Sequence, residues 1–304
     1  MAPDGKSLIT SVGSQDHTVW LHDKDGDHQI SSEGDASSPI FSPDGRSLYF
    51  LMAKGQTLDA ELWVKDLNTG KLDRVLPDYT IQSHTIARQT YTISPDGKQI
   101  AFVMNDQSGR SGLWIAPTNR RSSPRHLSSS AIEDNPIFLP DGDLLFRAVE
   151  GGSNFIYRMK PDGTDRRKII PDRILDIKNI SPDGRWVVAT VSNSDSDPEH
   201  TVIAIAIPIH GGTSVRLCDI YCEISWDATG KVVYFFSDPL YGGTYLLPVM
   251  PNGLPKVPSG GLARSEDVAN EKKIPQYVQS ALSPSVYAYT QQNTRRNLYR
   301  IPLL

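Results

Sequence analysis

Phe41-Ser42-Pro43-Asp44-Gly45-Arg46 is a stretch to which this chain of 304 residues keeps returning. Ile93-Ser94-Pro95-Asp96-Gly97-Lys98 and Ile180-Ser181-Pro182-Asp183-Gly184-Arg185 repeat it. Phe138-Leu139-Pro140-Asp141-Gly142-Asp143 is a close copy, and Trp226-Asp227-Ala228-Thr229-Gly230-Lys231 keeps the frame and the glycine. Leu282-Ser283-Pro284-Ser285 is a decayed copy, and Ala2-Pro3-Asp4-Gly5-Lys6 opens the chain on the same turn. Proline presets φ for the second turn position, aspartate caps a backbone N–H, and glycine takes the left-handed conformation that closes a bulged hairpin. An apolar residue precedes each copy and an apolar run follows, which reads as strand, tight turn, strand.

The frame falls at positions 3, 43, 95, 140, 182, 228 and 284, spacings of 40 to 56 residues. A period in the forties with several short strands per unit indicates a propeller. Four strands are legible per unit. Strand A ends at the turn, as in Ile40-Phe41, Ile137-Phe138 and Ile224 to Trp226. Strand B follows as Leu48 to Leu51, Ile100 to Met104, Leu144 to Phe146, Trp186 to Val191, Val232 to Phe236 and Val286 to Tyr289. These runs are too continuously apolar for a one-sided sheet and suit strands buried on both faces. Strand C carries a recurring aromatic, at Trp20, Trp63, Trp114, Tyr157, Tyr245 and Tyr299, placed there for packing between blades. Strand D is short, as in Arg74-Val75-Leu76, Arg125-His126-Leu127, Lys168-Ile169-Ile170 and Val215-Arg216-Leu217.

The expected fold is therefore all-β: a single β-propeller domain over residues 1–304, seven-bladed with six blades as the alternative, each blade four-stranded and antiparallel. Unit one shows B, C and D, and unit seven shows A, B and C. A seven-bladed ring then lacks one D and one A, so the count predicts a closing segment upstream of Met1.

Composition agrees with many short strands and turns, with 23 glycines and 22 prolines. The net charge of -4 leaves no basic surplus to neutralise phosphates, so nucleic acid is not an expected partner. The basic cluster from Arg120 to Arg125 reads as a solvated turn. No apolar run reaches the ~18 residues of a membrane helix, and no secretory signal pattern is present. Cys218 and Cys222 would lie about 13 Å apart on one strand, which predicts two free buried thiols unless a bend brings them together.

The F-S-P-D-G-[KR] turn, followed by an apolar strand and a Leu-Trp strand such as Leu62-Trp63 or Leu113-Trp114, resembles the WD40-like Pro-Asp (PD40) repeat of TolB-type propellers. The resemblance spans essentially the whole chain. It implies a bacterial, periplasmic or extracytoplasmic ring that works by binding. The ending Arg296-Asn297-Leu298-Tyr299-Arg300-Ile301-Pro302 also resembles propellers attached to bacterial receptor-type Ser/Thr kinases, which would make the ring a sensor. No glycine-rich phosphate loop and no H-R-D loop occurs here.

Motifs for chemistry are absent. The chain has no G-x-S-x-G, H-x-H or H-E-x-x-H, so no catalytic residue, cofactor or metal ligand is assigned. Asp23-Lys24-Asp25-Gly26-Asp27 lacks the order and the final glutamate of a calcium loop and reads as a polar turn, as does Asp195 to Glu199. Some rings of this repeat type are metal-dependent oligosaccharide lyases. That alternative requires His84, His126 and His200 to meet at the axis.

Long connections break the rhythm at Asp78 to Gln89, Asp172 to Lys178, Asn193 to His200 and Leu262 to Gln276. All join D to A or B to C, so all emerge on the rim opposite the Pro-Asp-Gly hairpins. Loops on a rigid scaffold usually carry function. The expected activity is non-catalytic binding of a protein or peptide there by a monomeric ring, with His84, Arg88, Arg173, Glu271 and Lys272 as contacts.

Overall fold

A computed structural model describes residues 7–32, 34–53, 59–82, 89–105, 109–127, 132–192, 202–218, 222–237, 242–258, 260–263 and 265–302. The described residues form six antiparallel sheets and no α-helix. Five sheets are single sequence units. In sheet 2, strands A to D are Ala36–Phe41, Ser47–Ala53, Asp59–Asp66 and Leu72–Arg74, with Ile81–Gln82 added beside strand C. Sheet 3 comprises Tyr91–Ile93, Gln99–Asn105, Ser111–Pro117 and Arg125–His126. Sheet 4 comprises Glu133–Phe138, Leu144–Glu150, Ser153–Met159 and Arg167–Ile174. Sheet 5 comprises Asp176–Ile180, Trp186–Ser192, Val202–Pro208 and Val215–Cys218. Sheet 6 comprises Cys222–Trp226, Val232–Ser237, Thr244–Pro248 and Lys272–Ile274.

Sheet 1 joins the two ends of the chain. Its order is Val278–Ser280, Tyr287–Pro302, Ser7–Asp23 and Gly26–Gln29. The sequence pattern splits these ends into two blades, and the described residues merge them into one. The stretches that would have to turn if each end formed a blade of its own, Gly13 to Asp16 and Gln291 to Arg295, stay extended instead. They pair continuously from Ser7 opposite Pro302 to His22 opposite Tyr287. Neither contains proline, and Gly13 permits the approach: a Cβ there would lie 2.5 Å from the Arg295 carbonyl oxygen. Because this sheet is already four-stranded, the strand count says nothing about what precedes Met1.

The core consists of apolar clusters between consecutive sheets. Val19, Ala288, Leu48 and Phe50 join sheets 1 and 2; Leu62, Ile81, Tyr91 and Phe102 join 2 and 3. Leu113, Leu127, Phe138 and Phe146 join 3 and 4; Ile156, Ile174, Ile177 and Val187 join 4 and 5. Ala204, Leu217, Ile224 and Phe235 join 5 and 6, and Tyr234, Ile274, Val278 and Tyr289 join 6 back to 1. The sheets thus close on themselves. The strand C aromatics serve this packing: Trp20, Trp63, Trp114, Tyr157 and Tyr245 all touch an inter-sheet cluster. Tyr299 does not. It lies in the extended part of sheet 1 and is 48% exposed.

The repeated turn works through its serine as well as its glycine. Gly45, Gly97, Gly142, Gly184 and Gly230 all have φ between 68° and 91°. The Ser94 hydroxyl donates to Asp96 at 2.7 Å and accepts from the Gln99 N–H at 2.9 Å, while Asp96 accepts from the Lys98 N–H at 3.0 Å. Ser42 and Ser181 do the same with Asp44 and Asp183. In the fifth copy the roles are exchanged. Asp227 stands at the serine position and accepts from the Lys231 and Val232 N–H groups, and Thr229 donates to it.

Candidate binding face

Strand A is the innermost strand of each repeat, and it begins on the face opposite the hairpins. At Glu133-Asp134-Asn135-Pro136 that beginning is kinked. The ladder shifts register between Asp134 and Ile137, and Asn135 is left-handed with φ 57°. Ser38, also followed by proline, has φ 56° at the equivalent place in sheet 2. Proline forbids the helical region to its predecessor and removes an N–H, so the strand bulges before re-entering the ladder. The freed Asn135 side chain accepts from the Ile177 N–H of sheet 5 at 2.9 Å and reaches the Gln89 carbonyl at 3.5 Å, tying three units together.

Beside this kink lies a buried ionic network. Arg147 and Asp134 are each 6% exposed. Arg147 Nε donates to Asp134 Oδ1 at 2.6 Å, a second guanidinium nitrogen donates to Oδ2, and Nη1 donates to the Leu175 carbonyl at 2.9 Å. Burial pulls Arg147 toward its neutral form. The Asp134 hydrogen bond and charge outweigh that and hold its pKa above the ordinary arginine value. One sheet on, Lys178 Nζ donates to Glu223 at 2.8 Å and lies 3.5 Å from Asp176. Desolvation, then the charge of Glu223, push the Tyr277 phenol upward, and the Gln279 amide donates to that phenol at 3.2 Å. The inner strands of sheets 4, 5 and 6, with Arg147 from strand B of sheet 4, thus place a fixed polar floor just beneath this face, continued by Tyr277 and Gln279 before and within the inner strand of sheet 1.

The disulfide Cys218–Cys222 stands on the same rim and corrects the expectation of free thiols. It links the last residue of strand D in sheet 5 to the first of strand A in sheet 6, with Cα atoms 6.4 Å apart. The chain leaves one sheet and enters the next here, so the two cysteines do not share a strand. Both are fully buried.

The expected contact residues are dispersed. His84 and Arg88 lie outside the described residues. Arg173 is exposed near the end of strand D of sheet 4, close to this rim, but in a strand: only Leu175 separates that strand from the next sheet. Lys272 also belongs to a strand. Opposite Leu246, it lies part-way down the outer edge of sheet 6, and Glu271 precedes it, farther from the rim. The stretch from Leu262 to Gln276 hides the outermost strand of sheet 6, which its polar residues had disguised as a loop. The network residues Asp134, Arg147, Asp176, Lys178 and Glu223 were not anticipated. A charged residue inside an apolar strand, such as Arg147 in Leu-Leu-Phe-Arg-Ala-Val, was the available signal.

The opposite face differs. A cavity of ≈ 560 Å³ lies between the hairpins of sheets 3 and 4, with Asp96, Asp141, Asp143, Asp162, Arg125 and Lys160 around it. Its carboxylates are engaged within the fold: Arg158 holds Asp141 at 2.6 Å and Asp143 at 2.7 Å, and the Thr164 N–H donates to Asp162 at 2.8 Å. Arg125 donates to the Pro161 and Asp162 carbonyls. Among the described residues no group of three or more His, Cys, Asp or Glu side chains is placed to hold a metal. His126 sits on the outermost strand of sheet 3 against Trp114, with ring centroids 4.7 Å apart. That position keeps it from the axis where the lyase alternative needs it; His84 and His200 lie outside the described residues.

The model of the TolB beta propeller domain (PD40) matches residues 8–239. Dipeptidyl-peptidase 5 of Aspergillus fumigatus is 27% identical over 210 residues, which are 62% of this chain and 28% of that protein. A Protein TolB homolog of Chlorobium luteolum is 35% identical over 97 residues, 31% of this chain and 22% of the relative. The chain thus matches about a quarter of the length of these curated relatives. Among solved structures, a putative TolB from Agrobacterium tumefaciens superposes with TM-score 0.64 at 16% identity, covering 92% of this chain and 99% of its own. TolB from Acinetobacter baumannii gives 0.58 at 17% identity, covering 79% and 62%. At these identities the likeness is one of fold.

Proposed function

The chain belongs to the TolB β-propeller domain family, and from that premise we propose that it is a non-catalytic module that holds a protein or peptide over the face where strands D pass to strands A. The observation that carries this reading is the buried ionic network at that face. Burying charge is costly unless each group is paired. Arg147–Asp134 and Lys178–Glu223 meet that condition with donors in fixed positions, as a preorganised recognition floor requires. The opposite face carries turn chemistry that its own hairpins consume. No helix among the described residues is long and apolar enough to cross a membrane. The Cys218–Cys222 disulfide favours an oxidising, extracytoplasmic compartment.

Peptides selected from a displayed library against the purified chain test the reading. Alanine at Arg88 or Arg173 is expected to weaken the selected peptides about tenfold, roughly 1.4 kcal/mol, without moving the melting temperature. Alanine at Asp162, on the hairpin face, is expected to leave them unchanged. Equal binding by all three variants would contradict the assignment.

The match to dipeptidyl-peptidase 5 favours a second reading, in which the ring adjoins a peptidase and gates its substrates. Under either reading the isolated chain hydrolyses no dipeptidyl chromogenic substrate. Turnover that survives purification to homogeneity would overturn the non-catalytic assignment.

A further inference from the structure

Sheet 1 continues past the ring as a two-stranded ribbon. Strand B runs away from the hairpin face, so the ribbon, Ser7 to Gly13 paired with Arg296 to Pro302, leaves on the D-to-A face. Its base is pinned where the Asn293 amide donates to Thr18 and where His17 meets Asp35 at 2.6 Å. Beyond Asp16 the pairing continues for nine residues, about 30 Å at the usual strand rise. Strands Gly26–Gln29 and Val278–Ser280 flank only the inner part, at Trp20 to Asp23 and Tyr287 to Tyr289. Among the described residues no strand pairs with the outer edges of the ribbon.

Nine large apolar side chains are exposed among the described residues, and five of them lie here: Leu8, Ile9, Leu298, Tyr299 and Ile301. The register sorts them by face. Leu8 faces the same way as Ile301 and Tyr299; Ile9 shares the other face with Leu298 and Arg300. Between residues 7 and 13 and between 295 and 302 the sequence holds Arg295, Arg296 and Arg300 and no acidic residue, although the chain as a whole carries -4. Open edges, apolar faces and a local surplus of positive charge define the complement.

We propose that this ribbon is a β-augmentation site for an extended segment of another protein in which acidic and apolar residues alternate. The partner lies along an open edge as a further strand, so main-chain hydrogen bonds supply affinity. Its apolar residues, on one face, cover Leu8, Tyr299 and Ile301, and its carboxylates, on the other, meet Arg296 and Arg300. A second copy of this chain fits less well, because its arginines would face these. The surface stands beside the network floor and does not depend on it.

The test uses the whole chain and a fluorescein-labelled peptide of four Glu-Val repeats, with four Lys-Val repeats as control, followed by anisotropy. The Glu peptide is expected to bind saturably, at least about tenfold tighter than the Lys peptide, and to weaken between about 0.1 and 0.5 M salt. The double variant Arg296→Glu, Arg300→Glu is expected to reverse the preference with an unchanged melting curve. Arg173→Ala, on the rim proper, is expected to leave it untouched, which separates failure here from failure of the rim reading. Absent binding, equal binding of both peptides, or sedimentation as a dimer that the double variant dissolves would overturn the proposal. The last result would make the ribbon a self-interface.

Discussion

At the scale of the residue, the repeated turn is a small hydrogen-bonded device in which each position has one task. Gly184, at φ 68°, has no low-energy replacement, and a Cβ there would also lie 3.3 Å from the Pro140 ring. Gly184→Ala is expected to cost roughly 1–2 kcal/mol in denaturant unfolding, more than the usual gain from stiffening an unfolded chain. The serine is tested by acid. The Ser94 hydroxyl, then the Lys98 N–H, hold Asp96 below the usual carboxylate range; Ser42 and the Arg46 N–H do the same for Asp44. For Asp183 burial acts upward, and Ser181 and Arg185 outweigh it. Folded pKa values below the unfolded ones mean that this stabilisation is present above about pH 4 and is lost as pH falls through the folded values. Ser94→Ala is expected to lower stability by about 1 kcal/mol at neutral pH and by less in acid, where Asp96 is protonated. An equal loss at both pH values would contradict the role given to the hydroxyl.

At the scale of the element, the inner strands, with strand B of sheet 4, carry the buried charges, and removing one partner exposes the cost of the other. Asp134→Ala leaves Arg147 buried without its carboxylate and is expected to cost about 3–5 kcal/mol, measured by chemical denaturation. Replacing both by apolar residues of similar volume is expected to cost much less. If the two variants are equally unstable, the pair is not an isolated ionic unit. The disulfide closes a short segment, with three residues between its cysteines, so chain entropy gives it roughly 2 kcal/mol. The double alanine variant at Cys218 and Cys222 is expected to lose about that much and to match the reduced wild type.

How far the sequence could be read differs between such elements. Strands B and the hairpins were legible because continuous apolar runs and the Pro-Asp-Gly frame are local signals. Strand D of sheet 6, Lys272–Ile274, was not, because an edge strand with two exposed lysines has no apolar pattern. Asp172 to Lys178 read as a loop by polarity, yet its charges are strand residues, and Asp176 and Lys178 are buried beside Glu223. The cysteine pair was misjudged because both were assigned to one strand. Of the expected rim contacts, Arg173 alone was described close to that rim, since loop membership had stood in for position.

At the scale of the molecule, the two ends of the chain share one sheet. The repeat count could not show this, because each end carries a plausible strand pair of its own and only their mutual pairing merges them. Sheet 1 therefore depends on residues nearly 300 positions apart, as Ser7 opposite Pro302 illustrates. A chain cut after Ala281 loses the strand that joins Val278–Ser280 to Ser7–Asp23. It is expected to lose its single cooperative thermal transition, not merely to melt a few degrees lower. The measurement closest to the central claim is hydrogen exchange of the whole chain with and without a library-selected peptide. Protection is predicted at Ile174 to Lys178 and Cys222 to Ile224, on the D-to-A face. Protection confined to the Pro-Asp-Gly hairpins around Asp141 and Asp162 would contradict it.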